Sequence, residues 1–244
     1  MNRFFAKIAD RFFNKLALTL LARADEQSLH PNRLLLIEAQ KEAADYAKTH
    51  MRDAIVLRAQ KEILEFVMTR IPDTGLILEF GVGGADSTRT MAAKTSRRIH
   101  GFDSFMGLPE DWGGRHEEKG HYSSGGVQPE VPKNIALHAG LFTDTLPQFL
   151  ATHTEHAALI HIDCDLYSST SYVLNMLSSR IQTGTIILFD EYFNYPTWRL
   201  HEFKAFQEFV ASTGLIYRYV AWSYQQVAVQ IVEITRREPS SSAD

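Results

Sequence analysis

Residues 76–86 read LILEFGVGGAD, an apolar run that leads directly into a glycine-rich turn. A short apolar run bounded by glycines predicts a buried strand, and the pattern after the turn predicts a helix. Glycines at Gly81 and Gly83 allow a tight turn and let the backbone approach a ligand closely. The segment therefore predicts a nucleotide-like ligand at the end of a strand. The alternative is a turn with a purely structural role.

Six further apolar runs continue this arrangement along the chain. Together they predict seven strands, at residues 76–81, 98–103, 134–140, 158–163, 185–191, 215–222 and 227–234. Helical patterns between strands are typical of parallel βαβ units, which place helices on both faces of a sheet. Four residues join the last two strands, so these two should form an antiparallel hairpin. The sequence thus predicts an α/β protein with a Rossmann-like sheet of seven strands.

The sequence before this sheet predicts a helical region. Residues 1–22 place large apolar side chains at helical spacing with basic residues between them, which is typical of an amphipathic helix. This helix should pack on the domain or on a second subunit of a homo-oligomer, the alternative being weak contact with a membrane surface. A second helical stretch covers residues 31–70. We therefore divide the chain into a helical extension at 1–72, a sheet domain at 73–235 and a disordered tail at 236–244.

Composition excludes several classes of protein. The chain has 244 residues, of which 45% are hydrophobic, enough for a globular α/β domain with a sizeable core. Its 25 basic and 29 acidic side chains give a net charge of −4, which argues against a nucleic-acid partner. No apolar run reaches the roughly 20 residues that span a membrane. Cys164 is the one cysteine, so we expect no internal disulfide and a cytoplasmic location.

Two carboxylates frame the predicted ligand site. Glu79 lies at the strand end beside the glycine turn, and Asp103 ends the next strand. A carboxylate at Glu79 would repel a pyrophosphate and favour the cationic amino-acid portion of S-adenosylmethionine, whereas Asp103 can accept hydrogen bonds from ribose hydroxyls. The dinucleotide fingerprint has a third glycine where this chain has Asp86, which argues against NAD. The alternative role for Asp103 is a helix N-cap.

Acidic residues also gather at two later strand ends. Asp163 ends one predicted strand and Asp165 follows it, and Asp190 and Glu191 end the next strand. Alternate residues of a strand share a face and adjacent strands lie about 4.8 Å apart, so these carboxylates should meet in one cleft. Close carboxylates repel one another, and a hard divalent cation relieves that repulsion, so the pattern predicts a magnesium site. The alternative is that Asp163 and Asp190 cap the helices that follow them.

Taken together, these motifs resemble those of the macrocin O-methyltransferase family. Its members are class I S-adenosylmethionine-dependent enzymes that methylate sugar hydroxyls in antibiotic biosynthesis. The resemblance runs from about residue 76 to residue 234, through the segments LEFGVGGADSTRTMA, GFDSFMGLPEDW, GLFTDTLP, HIDCDLYSST and ILFDEY. It implies the class I methyltransferase fold, S-adenosylmethionine and magnesium as cofactors, and a sugar or glycosylated small molecule as substrate.

The resemblance also implies roles for individual residues. The implied cofactor-binding residues are Glu79, Gly81, Gly83, Asp103 and Ser104. Asp163, Asp190 and Glu191 would bind magnesium, and Asp165 would act as the general base. The family usually has aspartate where this chain has Glu191, whose side chain is one methylene longer.

Catalysis would then consist of preparing a sugar hydroxyl for in-line attack on the sulfonium methyl group. Magnesium and Asp165 would activate the hydroxyl, and a mobile loop at residues 107–132 would close the site. Weaker candidates for the base are His116, His121 and His201. Aromatic residues that could offer flat faces to a sugar ring at the mouth of the site are Trp112, Tyr122, Tyr195 and Trp198. Lid packing is the alternative role for these aromatics.

Three other functions remain open at this point. A methyltransferase of the same fold could act on a catechol, an amine or another small molecule. An NAD-dependent sugar-modifying enzyme would share the parallel sheet, but it needs the missing glycine. A non-catalytic binding protein that docks through its N-terminal helix would keep the glycine turn without needing Asp165.

Overall fold

The fold is known from a computed structural model that describes residues 13–19 and 30–234. Residues 13–19 are helical. The rest of the predicted amphipathic helix at 1–22 and the predicted tail at 236–244 lie outside the described residues. Among the residues that are described, no helix is long and apolar enough to cross a membrane.

Eight strands form one sheet in the order β1-β7-β8-β6-β5-β2-β3-β4. The strands are β1 Ile55–Val56, β2 Leu76–Phe80, β3 Ile99–Asp103, β4 Ile135–Ala139, β5 Ala157–Ile162, β6 Ile186–Phe189, β7 Leu215–Trp222 and β8 Val227–Ile234. Neighbouring strands pair in parallel except β8, which runs antiparallel to both β6 and β7. The predicted α/β class, the terminal hairpin and all seven predicted strands are confirmed.

Helices cover both faces of this sheet. They are α1 Pro31–His50, α2 Gln60–Met68, α3 Asp86–Ala92, α4 Phe142–Thr152, α5 Tyr167–Leu177 and α6 Glu202–Thr213. Helices α2 and α3 share one apolar core with alternate residues of the strands, and α1, α4, α5 and α6 share the other. Because side chains alternate along a strand, Ile77 packs toward α2 and α3 while Leu78 packs toward the opposite core.

The first described long helix begins and packs for local reasons. Pro31 occupies the first turn of α1, where its missing N–H costs nothing, and His30 Nδ1 accepts a hydrogen bond from the Asn32 N–H at 3.1 Å. Ala39, Ala43 and Ala47 recur every four residues and are buried in the apolar core that α1 shares with α4, α5 and α6. A four-residue spacing places these small side chains on one face of the helix.

The sequence missed one strand and one helix break, both in the same place. Residues 31–70 form two helices rather than one continuous stretch, and between them Ile55 and Val56 form β1. These two residues pair in parallel with Ala221 and Trp222 of β7, at the edge of the sheet. The sheet therefore has eight strands instead of seven. The proposed domain boundary at residue 72 stays a prediction, although β1 joins the sheet from the N-terminal side of that boundary.

The order of the strands fixes where a ligand can bind. Strand β2 lies between β3 and β5, so the chain runs outward from β2 in one direction and later returns to continue in the other. In open α/β sheets, a crevice forms outside the carboxyl ends of the strands at this reversal point. The glycine turn follows β2 directly, and the acidic residues follow β5 and β6.

Candidate active site

A cavity of about 580 Å³ opens at the carboxyl ends of the central strands. This volume is within the usual range for small-molecule sites. The cavity wall contains both the glycine turn and part of the acidic cluster. The predicted site residues that line it are Gly81, Gly83, Asp103, Ser104, Asp163, Asp165 and Glu191.

The turn after β2 requires glycine at its first position. Gly81 has a φ of +92°, and a Cβ built there would lie 1.6 Å from the backbone oxygen of Asp163. A side chain is therefore excluded both by backbone conformation and by space. At Gly83, a Cβ would meet no atom within 4 Å. The turn thus packs tightly against the end of β5 at Gly81 and presents open backbone at Gly83.

Asp103 both braces the glycine turn and lines the cavity. Its Oδ2 accepts hydrogen bonds from the N–H groups of Val82 at 2.9 Å and Gly83 at 2.8 Å, and its Oδ1 accepts one from Phe105 at 2.7 Å. A carboxylate has about four lone-pair sites. Three are filled here, so Oδ1 can still accept from one ribose hydroxyl. Ser104 lies beside it, and its Oγ accepts a hydrogen bond from the Met106 N–H at 3.1 Å. Both residues are therefore where a cofactor-binding role needs them.

Glu79 is placed differently from the prediction. Its side chain is fully buried and is absent from the cavity wall. The carboxylate accepts hydrogen bonds from Ser87 Oγ at 2.6 Å and from Thr88 Oγ1, and it lies 2.9 Å from His161 Nδ1. Neighbouring side chains surround this carboxylate, so it does not face the cavity, and its predicted role in cofactor binding stays a prediction. Glu79 instead ties the glycine turn to the start of α3.

Three carboxylates converge where β5 and β6 end. Oxygen atoms of Asp163, Asp190 and Glu191 all lie within 4.8 Å of one another. The two strand ends are held in register, because the Asp190 N–H donates to the Ile162 oxygen at 2.9 Å. Glu191 Oε2 is buried and has no hydrogen-bond partner. An orphaned acceptor among close carboxylates is what a divalent cation would satisfy, so the residues fit magnesium.

These carboxylates do not titrate like free ones. Burial raises the pKa of Asp163 well above its ordinary value, and the nearby charge of Asp190 raises it further. Burial and the charge of Asp190 likewise raise the pKa of Glu191. Burial acts on Asp190 too, but His161 and a 2.6 Å hydrogen bond from Gln60 Nε2 outweigh it and lower the pKa of Asp190. Burial and mutual repulsion thus favour the protonated forms of Asp163 and Glu191, and a cation would compete with those protons.

Asp165 stands beside this cluster in a strained position. It is 9% exposed, lines the cavity and has a φ of +65°, which is uncommon for residues other than glycine. Burial, followed by the charge of Asp190, raises the pKa of Asp165 to about 7. A carboxyl with a pKa near neutrality is suited to accept a proton at physiological pH. Strain of this kind is common at functional sites.

The loop at residues 107–132 contains no helix or strand, as the sequence predicted. It is nevertheless packed: Trp112 and Glu117 are buried. Arg115 donates two hydrogen bonds to Glu117, at 3.1 and 3.0 Å, and its guanidinium lies 4.2 Å from the Trp112 ring centroid. Gly107, Leu108, Pro109 and Tyr122 bring the loop to the cavity wall. Its mobility stays a prediction.

The predicted aromatic mouth is largely wrong. Trp112, Tyr195 and Trp198 are at most 2% exposed and belong to the apolar core, so they cannot offer a face to a ligand. Tyr122 is 58% exposed and does line the cavity. The rival bases also lie off the wall: neither His116, His121 nor His201 lines it.

Comparison with known proteins identifies the family. Residues 46–222, well over half of the chain, match the family model described as Macrocin-O-methyltransferase (TylF). The chain belongs to the macrocin O-methyltransferase family. The resemblance inferred from the motifs is confirmed.

Individual relatives agree with this family. A curated protein of Streptomyces olivaceus, 8-demethyl-8-(2,3-dimethoxy-alpha-L-rhamnosyl)-tetracenomycin-C 4'-O-methyltransferase, is 30% identical over 141 residues. The match covers 48% of this chain and 53% of that protein, so the chain spans about half the length of the relative. Among solved structures, the calicheamicin methyltransferase CalS11 has a TM-score of 0.56 at 24% identity, over 70% of this chain and 76% of that one. The O-methyltransferase NovP has a TM-score of 0.56 at 21% identity, over 71% and 80%. These structures show the same class I methyltransferase fold.

The sequence analysis missed two residues that contact the predicted site residues. His161 is fully buried between Glu79 and Asp190, although it opens the HIDCD motif on which the acidic cluster was recognised. Gln60 holds Asp190 from the start of α2. Nothing in the sequence signals Gln60, since it lies 130 positions from its partner.

Proposed function

We propose that this protein transfers a methyl group from S-adenosylmethionine to a hydroxyl of a sugar, with Mg²⁺ bound at the acidic cluster and Asp165 as general base. The observation that carries the proposal is that one cavity is lined by Gly83 and Asp103 and also by Asp163 and Asp165. A cofactor held by the first pair and an acceptor activated by the second would meet in the same cavity. Family membership supports methyl transfer as the reaction.

The cofactor would bind across the glycine turn. Gly83 offers backbone with no side chain in the way, and Asp103 offers one free carboxylate lone pair to the ribose. Asp86 occupies the position of the third glycine of the dinucleotide fingerprint. This departure and the four acidic residues on the wall favour S-adenosylmethionine, which carries a sulfonium cation, over NAD, which carries an anionic pyrophosphate. The four are Asp103, Asp163, Asp165 and Glu191.

Asp163, Asp190 and Glu191 would hold the magnesium ion. Bound magnesium lowers the pKa of a coordinated hydroxyl and adds positive charge to an otherwise acidic cavity. The orphaned Glu191 Oε2 and the spacing of the three carboxylates support this assignment. Because residue 191 is glutamate, the third carboxylate would reach the metal ion on a side chain one methylene longer than that of aspartate.

Asp165 would take the proton of the attacking hydroxyl. Its pKa of about 7 balances a useful ionised fraction against proton affinity, and its place on the cavity wall gives it access to an acceptor. The left-handed backbone at Asp165 turns the chain immediately after the metal ligand Asp163. The base and the metal ligands thus come from one short segment with a fixed relative position.

A sugar is the acceptor that these features favour. Adjacent hydroxyls of a sugar can chelate a cation that keeps open coordination positions. Tyr122 offers an exposed aromatic face on the cavity wall. The name of the Streptomyces olivaceus relative gives a rhamnosyl-tetracenomycin as its acceptor, which is consistent with a glycosylated compound here.

Location and assembly are further parts of the proposal. The buried free thiol of Cys164 is in keeping with a reducing, cytoplasmic compartment. A homo-oligomer remains our expectation for the N-terminal helical region.

A panel assay with radiolabelled methyl donor tests the function. Methyl transfer to glycosylated natural products or nucleotide sugars, lost in excess chelator, is the expected result. The Asp165→Asn variant serves as the matched inactive control. Transfer only to catechols or amines would refute the sugar assignment, and tight NADH binding without S-adenosylhomocysteine binding in calorimetry would refute the methyltransferase assignment.

A further inference from the structure

The described part of the chain contains a buried polar connection between the glycine turn and the acidic cluster. His161 lies on β5, between Glu79 on β2 and Asp190 after β6, and none of its side chain is exposed. Its Nδ1 is 2.9 Å from Glu79 Oε1, and its Nε2 is 3.9 Å from Asp190 Oδ1. One imidazole therefore faces a carboxylate of each half of the site.

Both carboxylates are anchored at their other sides by helices. Ser87 and Thr88, in the first turn of α3, donate their hydroxyls to Glu79. Gln60, the first residue of α2, donates to Asp190. The connection thus runs from α3 through three adjacent strands to α2, on the face of the sheet that these two helices cover.

We propose that His161 is a positioning residue that couples the two halves of the site, so that cofactor and divalent cation each strengthen the binding of the other. This inference rests on the proposed function of the same site. The physical basis is that Nε2 is buried and lacks a hydrogen-bond partner. An imidazole with one satisfied and one unsatisfied nitrogen responds to a change of charge on the unsatisfied side.

The direction of the coupling follows from the geometry. A cation on Asp190 offsets the negative charge that faces Nε2, so the attraction of the imidazole toward Asp190 weakens. The imidazole is then held mainly through its Nδ1 contact with Glu79, which fixes the orientation of the carboxylate that accepts from Ser87 and Thr88 at the start of α3. A firmer turn binds the cofactor better, and by thermodynamic reciprocity the cofactor increases cation affinity by the same factor.

Titration calorimetry of the metal-free full chain measures this coupling. The dissociation constant of S-adenosylhomocysteine is determined with and without saturating Mg²⁺, and that of Mg²⁺ with and without S-adenosylhomocysteine. We expect each ligand to tighten the other by roughly fivefold or more, the usual lower range of coupling between sites. The proposal would be overturned if the dissociation constant of S-adenosylhomocysteine were the same with and without Mg²⁺, and that of Mg²⁺ the same with and without S-adenosylhomocysteine.

Two variants test the two contacts of the imidazole separately. His161→Asn keeps a donor near the Nδ1 position but has no atom toward Asp190, and His161→Gln has the reverse arrangement. His161→Asn should bind S-adenosylhomocysteine without cation within about threefold of the wild type, with the coupling lost. His161→Gln should lose roughly tenfold in that affinity, as expected when a hydrogen bond to a charged group is removed. Full coupling in His161→Asn would overturn the proposal.

His100→Asn is the matched control, since His100 is a buried histidine on the neighbouring strand β3 that contacts neither carboxylate. It should retain the wild-type coupling, and loss of coupling there as well would refute a specific role for His161. Complete loss of cation binding in His161→Asn would make His161 a ligand and so overturn a positioning role. Ligand binding without coupling would refute this inference alone, whereas absence of methyl transfer with coupling intact would refute the proposed function alone.

Discussion

Replacement of Asp165 by asparagine should make the metal-free protein more stable and the enzyme much slower. The side chains are nearly equal in shape, and asparagine tolerates the left-handed conformation at φ +65° as well as aspartate does. The exchange therefore removes the titrating carboxyl with little change in packing. Asp165 is 9% exposed, so the electrostatic effect is only weakly screened by water.

The magnitude follows from the pKa of this carboxyl. Burial and the charge of Asp190 raise the pKa of Asp165 from 3.8 to about 7. At 1.36 kcal/mol for each pH unit, this difference corresponds to a destabilisation of about 4 kcal/mol. Because the folded-state pKa is raised, the penalty is absent below pH 3.8, grows as the pH rises, and is complete above about pH 7. The free energy of unfolding of the variant should therefore exceed that of the wild type by up to about 4 kcal/mol near neutral pH, and by almost nothing in acid.

Thermal and denaturant unfolding in chelator, at about pH 4 and about pH 7.5, measure the gain in stability. Initial rates of methyl transfer measure the loss of turnover. Turnover should fall by roughly 10²–10⁴-fold, the usual contribution of a general base. Asp45→Asn is the control, because this exchange removes the same formal charge from an exposed side chain that does not line the cavity. Equal stability of Asp165→Asn and wild type near neutrality would refute the electrostatic argument, and turnover within tenfold of wild type would refute the base.

Three further predictions concern the turn, the cluster and a second group of histidines. Gly81→Ala should lower the unfolding free energy by roughly 2 kcal/mol or more and weaken S-adenosylhomocysteine binding, because its Cβ meets a backbone oxygen; denaturant unfolding and calorimetry measure both. Asp163→Asn should abolish thermal stabilisation by Mg²⁺ while cofactor affinity changes less than threefold or so; retained stabilisation would remove Asp163 from the ligand set. Burial, with the nearby His138, lowers the pKa of His100 to about 4. The free energy of unfolding of the wild type should therefore fall by about 1–3 kcal/mol between pH 6.5 and pH 4, and that of His100→Asn should fall less; denaturant unfolding in acid measures both.

Much of the site was accessible from the sequence because its signals are local. An apolar run flanked by glycine predicts a buried strand and turn wherever it occurs, and Gly81 and Gly83 do lie in such a turn. Acidic residues directly after two adjacent parallel strands must emerge at the same edge of the sheet. Asp163 and Asp190 therefore approach each other for reasons that strand geometry alone supplies.

The sequence by itself thus determined the α/β class, seven strands, the position of the glycine turn and the convergence of the carboxylates. Tertiary structure alone decided the eighth strand, because Ile55 and Val56 are extended only through backbone pairing with β7. It also decided that Glu79 contacts His161, 82 positions away, and does not line the cavity. Side-chain contacts of this kind depend on which distant residues the sheet brings together, and neither periodicity nor composition carries that information.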